Sequence, residues 1–188
     1  MLDAVHPWGR SIRPFCPRNV VAQLASEPWQ VAGHYRLREE IFCGEQGIFP
    51  ASDRDRHDAF GLPIVALCQI AGVDQEVVGV VRIYPVGEQT WYGGRLGVRK
   101  SHRRVGAIGT ALITCAVSTA HARGCHKFLA TVQPQNVKYF ERHDFARVEE
   151  IEVEGRAHWL MEARLDSYPK ELSTSPIWAT QTGRSQAA

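Results

Sequence analysis

Apolar positions in this chain recur at two periods. Ile64 to Ala71 is a continuous apolar run of strand length, and Glu76 to Val86 is a second, rich in valine. Gly72-Val73-Asp74-Gln75 between them reads as a hairpin turn. Thr90 to Val98 follows as a third strand, and its Gly93-Gly94 pair indicates a bulge or a close backbone approach. The period then becomes helical: Ala111, Leu112, Ala116 and Val117 share a face in a helix running to about Arg123, with Gly124 as its cap. Lys127 to Val132 is a short buried strand. Asn136 to His143 is a helix begun after Pro134, Phe145 to Glu154 a strand, Gly155-Arg156 a turn, and Ala157 to Leu165 a closing strand.

Upstream, Trp29 to Val31 begins a first strand, and His34 to Phe42 is a helix that Gly44 ends. Residues 1–28 read as a proline-punctuated surface arm with a short helical turn near Val20 to Ala25. Asp53 to Asp58 (D-R-D-R-H-D) reads as a solvated charged loop. The Ser/Thr/Pro-rich stretch over 166–188 reads as a flexible tail. The expected domain is therefore 29–165. Its order of strand, helix, three antiparallel strands, helix, strand, helix and two strands predicts an α+β fold. A mixed, mostly antiparallel central sheet is flanked by helices.

Composition narrows the classes. A chain of 188 residues with 44% apolar content suits one domain with a sizeable core. A formal net charge of +2 argues against a dedicated nucleic-acid binder, although Arg99 to Arg104 is locally basic. The five cysteines form no C-x-x-C pair, so reduced thiols in a cytoplasmic protein are expected, with no zinc site. No apolar run resembles a signal peptide or a membrane span.

The stretch R-L-G-V-R-K-S-H-R-R-V-G-A-I-G-T-A-L-I, from Arg95 to Ile113, joins a strand end to a helix start through a basic, glycine-containing loop. The first N–H groups of a helix lack intrahelical partners, and the macrodipole adds positive charge there. Glycines admit a large anion close to that backbone, and arginines supply forked donors. Neither G-x-G-x-x-G nor G-K-S/T is present. Arg104-Val105-Gly106-Ala107-Ile108-Gly109 instead resembles the coenzyme A loop Q/R-x-x-G-x-G/A of the GNAT acyltransferases, with Ala107 where the family usually has glycine.

The predicted element order is also that of the GNAT fold. Asn136 to Phe145 resembles the family's N-x-x-A-x-x-F/Y-Y-E-K/R-x-G-F segment, with Asp144 in place of the usual glycine. The run L-R-E-E-I-F-C-G-E-Q, A-T-V-Q at Ala130 to Gln133, and G-R-A-H at Gly155 to His158 resemble the ElaA-like and homoserine-lactone-synthase-like branch. F-C-G-E-Q, W-Y-G-G-R-L-G-V and F-L-A-T-V-Q further resemble a group called nitrogen-starvation N-acetyltransferases.

The resemblance implies transfer of an acetyl group from acetyl-CoA to the amine of a small molecule, directly and without a metal. A homodimer is compatible with it. It implies coenzyme A contacts from Leu96, Gly97 and Val98 through their backbone. Arg103, Arg104, Val105, Gly106, Ala107, Ile108, Gly109 and Thr110 of the loop, and Asn136, complete the set. It also places a tyrosine acid where this chain has Phe140, with Tyr139 one residue earlier, a rotation of about 100° on a helix.

For the base, Glu45 after a cysteine-glycine break ranks first, against a plain solvent-exposed loop glutamate. His158 ranks second, and a satisfied structural histidine fits it at least as well. Tyr139 is the candidate acid, against ordinary packing. Cys43 raises an acyl-cysteine route, with a packed thiol preferred. A His57–Asp58 dyad ranks below a solvated loop. Asn136 caps a helix or touches coenzyme A. The rival functions are a catalytically silent acyl-CoA-binding domain and a homoserine-lactone-type synthase. A nucleic-acid module built on Arg99 to Arg104 is the weakest; its signature is steeply salt-dependent binding.

Overall fold

The computed structural model describes residues 18–70, 72–153, 155–170 and 177–180. Among the described residues, eight strands form one sheet: β1 (Arg18–Leu24), β2 (Leu62–Ile70), β3 (Val73–Pro85), β4 (Thr90–Val98), β5 (Lys127–Val132), β6 (Phe145–Val153), β7 (Arg156–Ala163) and β8 (Ile177–Thr180). Their spatial order is β6-β7-β5-β4-β3-β2-β1-β8, and every neighbouring pair is antiparallel except β4–β5. Three helices join them: α1 (Pro28–Arg38), α2 (Gly106–Ala122) and α3 (Val137–Glu141). The parallel β4–β5 pair requires a crossover, and α2 supplies it.

Both faces of the central strands are buried. Val65, Leu67, Val77 and Val80 meet Leu37, Ile41 and Phe42 on one face. Ile64, Ala66, Val78, Val81 and Ile83 meet Ile108, Leu112, Ala116 and Val117 of α2 on the other. Burial on both faces explains why these strands read as continuous apolar runs rather than alternating ones.

Four expectations change. Val20 to Ala25 is not a helical turn: Val20, Val21 and Ala22 belong to strand β1, paired with β2 and packed on both faces. Trp29 to Val31 is helix rather than strand. Pro28 occupies the first helical turn, and the Gln30 side chain accepts from the Ser26 and Glu27 N–H groups at 3.0 and 3.3 Å. Gly44 does not end the helix. The chain continues through a π-helical turn, Glu39–Glu45, in which the Gln46 N–H reaches the Ile41 carbonyl at 2.9 Å. Gly47, at φ 57°, supplies the left-handed turn after it. Within the stretch read as a tail, Ile177–Thr180 pairs with β1; the rest of 171–188, the arm's first seventeen residues and Cys16 lie outside the described residues.

No helix among the described residues is long and apolar enough to cross a membrane.

Candidate functional site

The strands β4 and β5 pair in register from Thr90↔Lys127 to Gly93↔Ala130 and then separate. The separation has a local cause. Val80 pairs with Gly97 but Arg82 pairs with Gly94, so β4 carries one extra residue between these points. The bulge falls at Arg95-Leu96, just past Gly93-Gly94, and Arg95 takes the left-handed conformation, φ 58°; Gly93 itself marks the close approach, since a Cβ there would come within 2.8 Å of the Phe128 ring. Beyond it, Leu96, Gly97 and Val98 line one wall of a cleft of about 1190 Å³, and Thr131 and Val132 of β5 line the other. The bulged strand leaves its backbone open on the β5 side, an edge able to hydrogen-bond a ligand laid along it. A Cβ on Gly97 would come within 2.8 Å of Ile41 Cδ1, so the bare backbone there lets the π-helical turn close over the strand.

At one end of the cleft stands the N-terminus of α2. Val105 provides no side-chain cap, and the first turn holds no acidic residue. The Gly106 and Ala107 N–H groups have no acceptor among the described residues, whereas the Val105 and Ile108 N–H groups turn back to the His102 and Val105 carbonyls at 3.0 Å each. Ile108 is a core side chain, so only its backbone belongs to the loop. Ala107 is exposed. This bare helix start, lined by Val105, Gly106 and Gly109, fits a pyrophosphate.

Arg104 is exposed and has no ion-pair partner among the described residues. Arg103 is committed elsewhere: its Nε donates to the Val98 carbonyl at 2.8 Å, and its Nη2 donates to Glu45 Oε2 at 2.6 Å. The leading base candidate and the leading phosphate clamp are thus bound to each other. Glu45 belongs to a strap across the cleft mouth. The Gln133 amide donates to Gln46 at 3.0 Å and the Arg156 guanidinium reaches the Gly47 carbonyl at 3.4 Å.

Tyr139 faces the cleft, and a Cβ on Gly109 would collide with its hydroxyl. Burial, partly offset by a hydrogen bond with Thr110, raises its phenol pKa, so it stays protonated and able to donate. Phe140 is instead a core residue, edge-on to Phe145 at 5.1 Å. Both residues line the cleft, and of the two only Tyr139 carries a hydroxyl, so the one-residue displacement still leaves a phenol there. Thr110 Oγ1 is engaged with His143 Nε2 at 2.8 Å. Asn136 makes no side-chain cap on α3; it lines the cleft.

His158 is 8% exposed and sits on β7 where β5 ends its pairing. Its ring lies against the cleft. Nδ1 is 2.9 Å from the Arg156 carbonyl, which can only accept, so Nδ1 carries a proton and, in the neutral ring, the lone pair is on Nε2.

D-R-D-R-H-D is not a solvated loop. Asp53 is 2% exposed and binds Arg38 Nε at 2.7 Å and Arg95 Nε at 3.0 Å. Asp58 binds Arg38 and Arg82, and Asp55 binds Arg82 and, more distantly, Arg95. Burial of Asp55 and Asp58 opposes their ionisation, but hydrogen bonds from these arginines prevail and hold both carboxyls below the usual range. His57 makes no dyad with Asp58; it stacks on Tyr84 at 4.3 Å and its Nδ1 lies 3.2 Å from Asp55. Burial pushes the Cys43 thiol up, which leaves it a poor nucleophile. None of the four described cysteines is in a disulfide. No cluster of three or more His, Cys, Asp or Glu among the described residues is arranged to hold a metal.

The chain matches the model of the acetyltransferase (GNAT) family over residues 22–145. It belongs to that family and is an acyltransferase whose co-substrate is an acyl-CoA. Similar solved structures share the fold. A proposed N-acetyltransferase from Lactobacillus plantarum superposes with TM-score 0.69 at 22% identity, over 78% of this chain and 98% of that one. Escherichia coli ElaA gives 0.64 at 21%, over 77% and 99%. BjaI, a CoA-dependent acyl-homoserine lactone synthase solved with SAM and isopentyl-CoA, gives 0.63 at 18%, over 79% and 85%.

Proposed function

We propose that this protein transfers an acetyl group from acetyl-CoA to the amine of a small molecule, directly, within a ternary complex. The observation that carries this reading is the separation of β4 from β5 between a bare helix N-terminus and a histidine whose Nε2 has no partner among the described residues. The pyrophosphate would lie on Gly106 and Ala107, with Arg104 beside it, and the pantetheine arm along Leu96 to Val98. His158 Nε2 takes a proton from the acceptor, and the amine nitrogen attacks the thioester carbonyl. The new C–N bond forms as the C–S bond breaks. Backbone N–H groups of β4 stabilise the oxyanion, and the Tyr139 phenol returns a proton to the departing thiolate.

Glu45 takes second place as base because Arg103 holds its carboxylate. The test is calorimetric titration with acetyl-CoA, then thiol release against pooled small amines. Binding with turnover that His158→Ala reduces by about 100-fold or more supports the reading. Turnover unchanged in that variant removes His158 from the mechanism. Turnover only with longer acyl-CoAs overturns the choice of acetyl donor.

A further inference from the structure

We infer that the acceptor is an amine carrying its own carboxylate, an amino-acid-like molecule, and that Arg156 receives the carboxylate. This inference rests on the amine-acetylation reading above. It starts from how the charges in and behind the cleft are used. Arg38, Arg82 and Arg95 are matched by Asp53, Asp55 and Asp58, and Arg103 is matched by Glu45. Arg54 and the exposed Arg156 also line the cleft, and neither has a carboxylate partner among the described residues; the Arg54 guanidinium lies over the Tyr35 ring, 4.1 Å from its centroid, which leaves Arg156. Its one acceptor among the described residues is the Gly47 carbonyl, at a stretched 3.4 Å. A guanidinium carries five donors, so most of this one is free to meet a planar, two-oxygen anion.

The position of Arg156 supplies the second half of the inference. Arg156 and His158 are alternate residues of β7, so both side chains leave the same face of the sheet, about 7 Å apart at the backbone. The hydrogen bond between His158 Nδ1 and the Arg156 carbonyl fixes the two residues relative to each other. A small molecule whose carboxylate meets the flexible arginine therefore has its amine directed toward the Nε2 that would deprotonate it. An acceptor bearing an amine alone would leave the guanidinium uncompensated at the cleft mouth. A cationic polyamine would be repelled by it. Arg156 thus acts as an anchor that selects the acceptor and orients it, while His158 does the proton transfer.

The experiment is equilibrium binding, in the presence of coenzyme A, of a panel of amino acids and their matching carboxamides. Acetyl transfer to the same compounds is measured in parallel. At least one amino acid should bind about ten- to a hundredfold more tightly than its carboxamide, the usual worth of a hydrogen-bonded charge pair. Arg156→Gln should bring the acid down to the level of the amide, and Arg156→Lys should restore part of the difference. Acids and amides bound alike, or discrimination that survives Arg156→Gln, overturns the inference. So does a panel in which no amino acid binds while simple amines do. Discrimination without acetyl transfer would keep the anchor and sink the acetylation reading; transfer indifferent to the carboxylate would do the reverse.

Discussion

His34 gives the most direct check on the buried polar interior. It lies on α1, 1% exposed, with Nε2 3.3 Å from the Val81 carbonyl and Nδ1 enclosed without a partner among the described residues. Burial lowers its pKa to about 3 from 6.5, and the neighbouring Arg38 guanidinium pushes in the same direction. A proton on Nδ1 would have no acceptor. The unfolded chain takes that proton near pH 6.5 and the folded chain refuses it until about pH 3, so stability rises with pH between those limits and falls on acidification. At one pKa unit per roughly 1.4 kcal/mol, moving from about pH 7.5 to pH 5 removes about 2 kcal/mol through this residue alone. For a chain of this size that lowers the thermal midpoint by roughly 4–8 °C. His34→Gln can still donate to the Val81 carbonyl but cannot titrate. Thermal unfolding at both pH values should show the wild-type midpoint falling further than the variant's by that amount. Equal shifts in the two proteins would refute the claim that His34 is buried and neutral.

Three further outcomes are expected. Arg38→Ala strips a fully buried guanidinium from Asp53 and Asp58, and should cost about 3–5 kcal/mol, read as a fall of roughly 6–20 °C in thermal midpoint. Gly109→Ala should destabilise by about 1–3 kcal/mol because its Cβ meets the Tyr139 hydroxyl. Tyr139→Phe should recover most of that loss, so the double-mutant cycle shows a coupling of about 1 kcal/mol or more. Glu45→Gln releases the partly exposed Arg103 ion pair and should tighten acetyl-CoA binding by up to about fivefold, with kcat within about threefold of wild type. A hundredfold fall in kcat would return Glu45 to the role of base.

The sequence made legible the elements whose burial is one-sided or long. Helix α2 was visible from its 3.6-residue period and the Gly106 start, β2 and β5 from short apolar runs, and β3 from its valines. The uncapped start of α2 was legible because backbone availability follows from residue type and order. Strand β1 was missed because V-V-A is buried on both faces and shows neither period. The start of α1 was missed because the β-prone Trp-Gln-Val is overridden by Pro28 and the Gln30 side chain. The aspartate cluster was misread because its partners, Arg38, Arg82 and Arg95, lie 15 to 42 residues away. One signal did exist. Arg82 interrupts the apolar run V-V-R-I-Y, and a charge in a strand buried on both faces requires a counter-charge from elsewhere.

That cluster also bears on which residue can move a proton. Its carboxylates sit beside the cleft, the usual place to look for a base, yet arginines hold Asp55 and Asp58 ionised with depressed pKa values, which weakens them as proton acceptors. Buried ion pairs are poor stabilisers compared with apolar packing of the same volume, so stability alone does not account for six charges at this point. Their geometry does. Asp53 grips Arg95, the residue at φ 58° whose bulge turns β4 away from β5. A non-glycine residue in that conformation costs about 1–3 kcal/mol and persists only where its surroundings impose it. The network therefore holds the bulge open as a framework. Among the described residues the acidic side chains of this cluster are thereby paired, which supports the proposal that His158, whose Nε2 has no partner among them, takes the acceptor's proton.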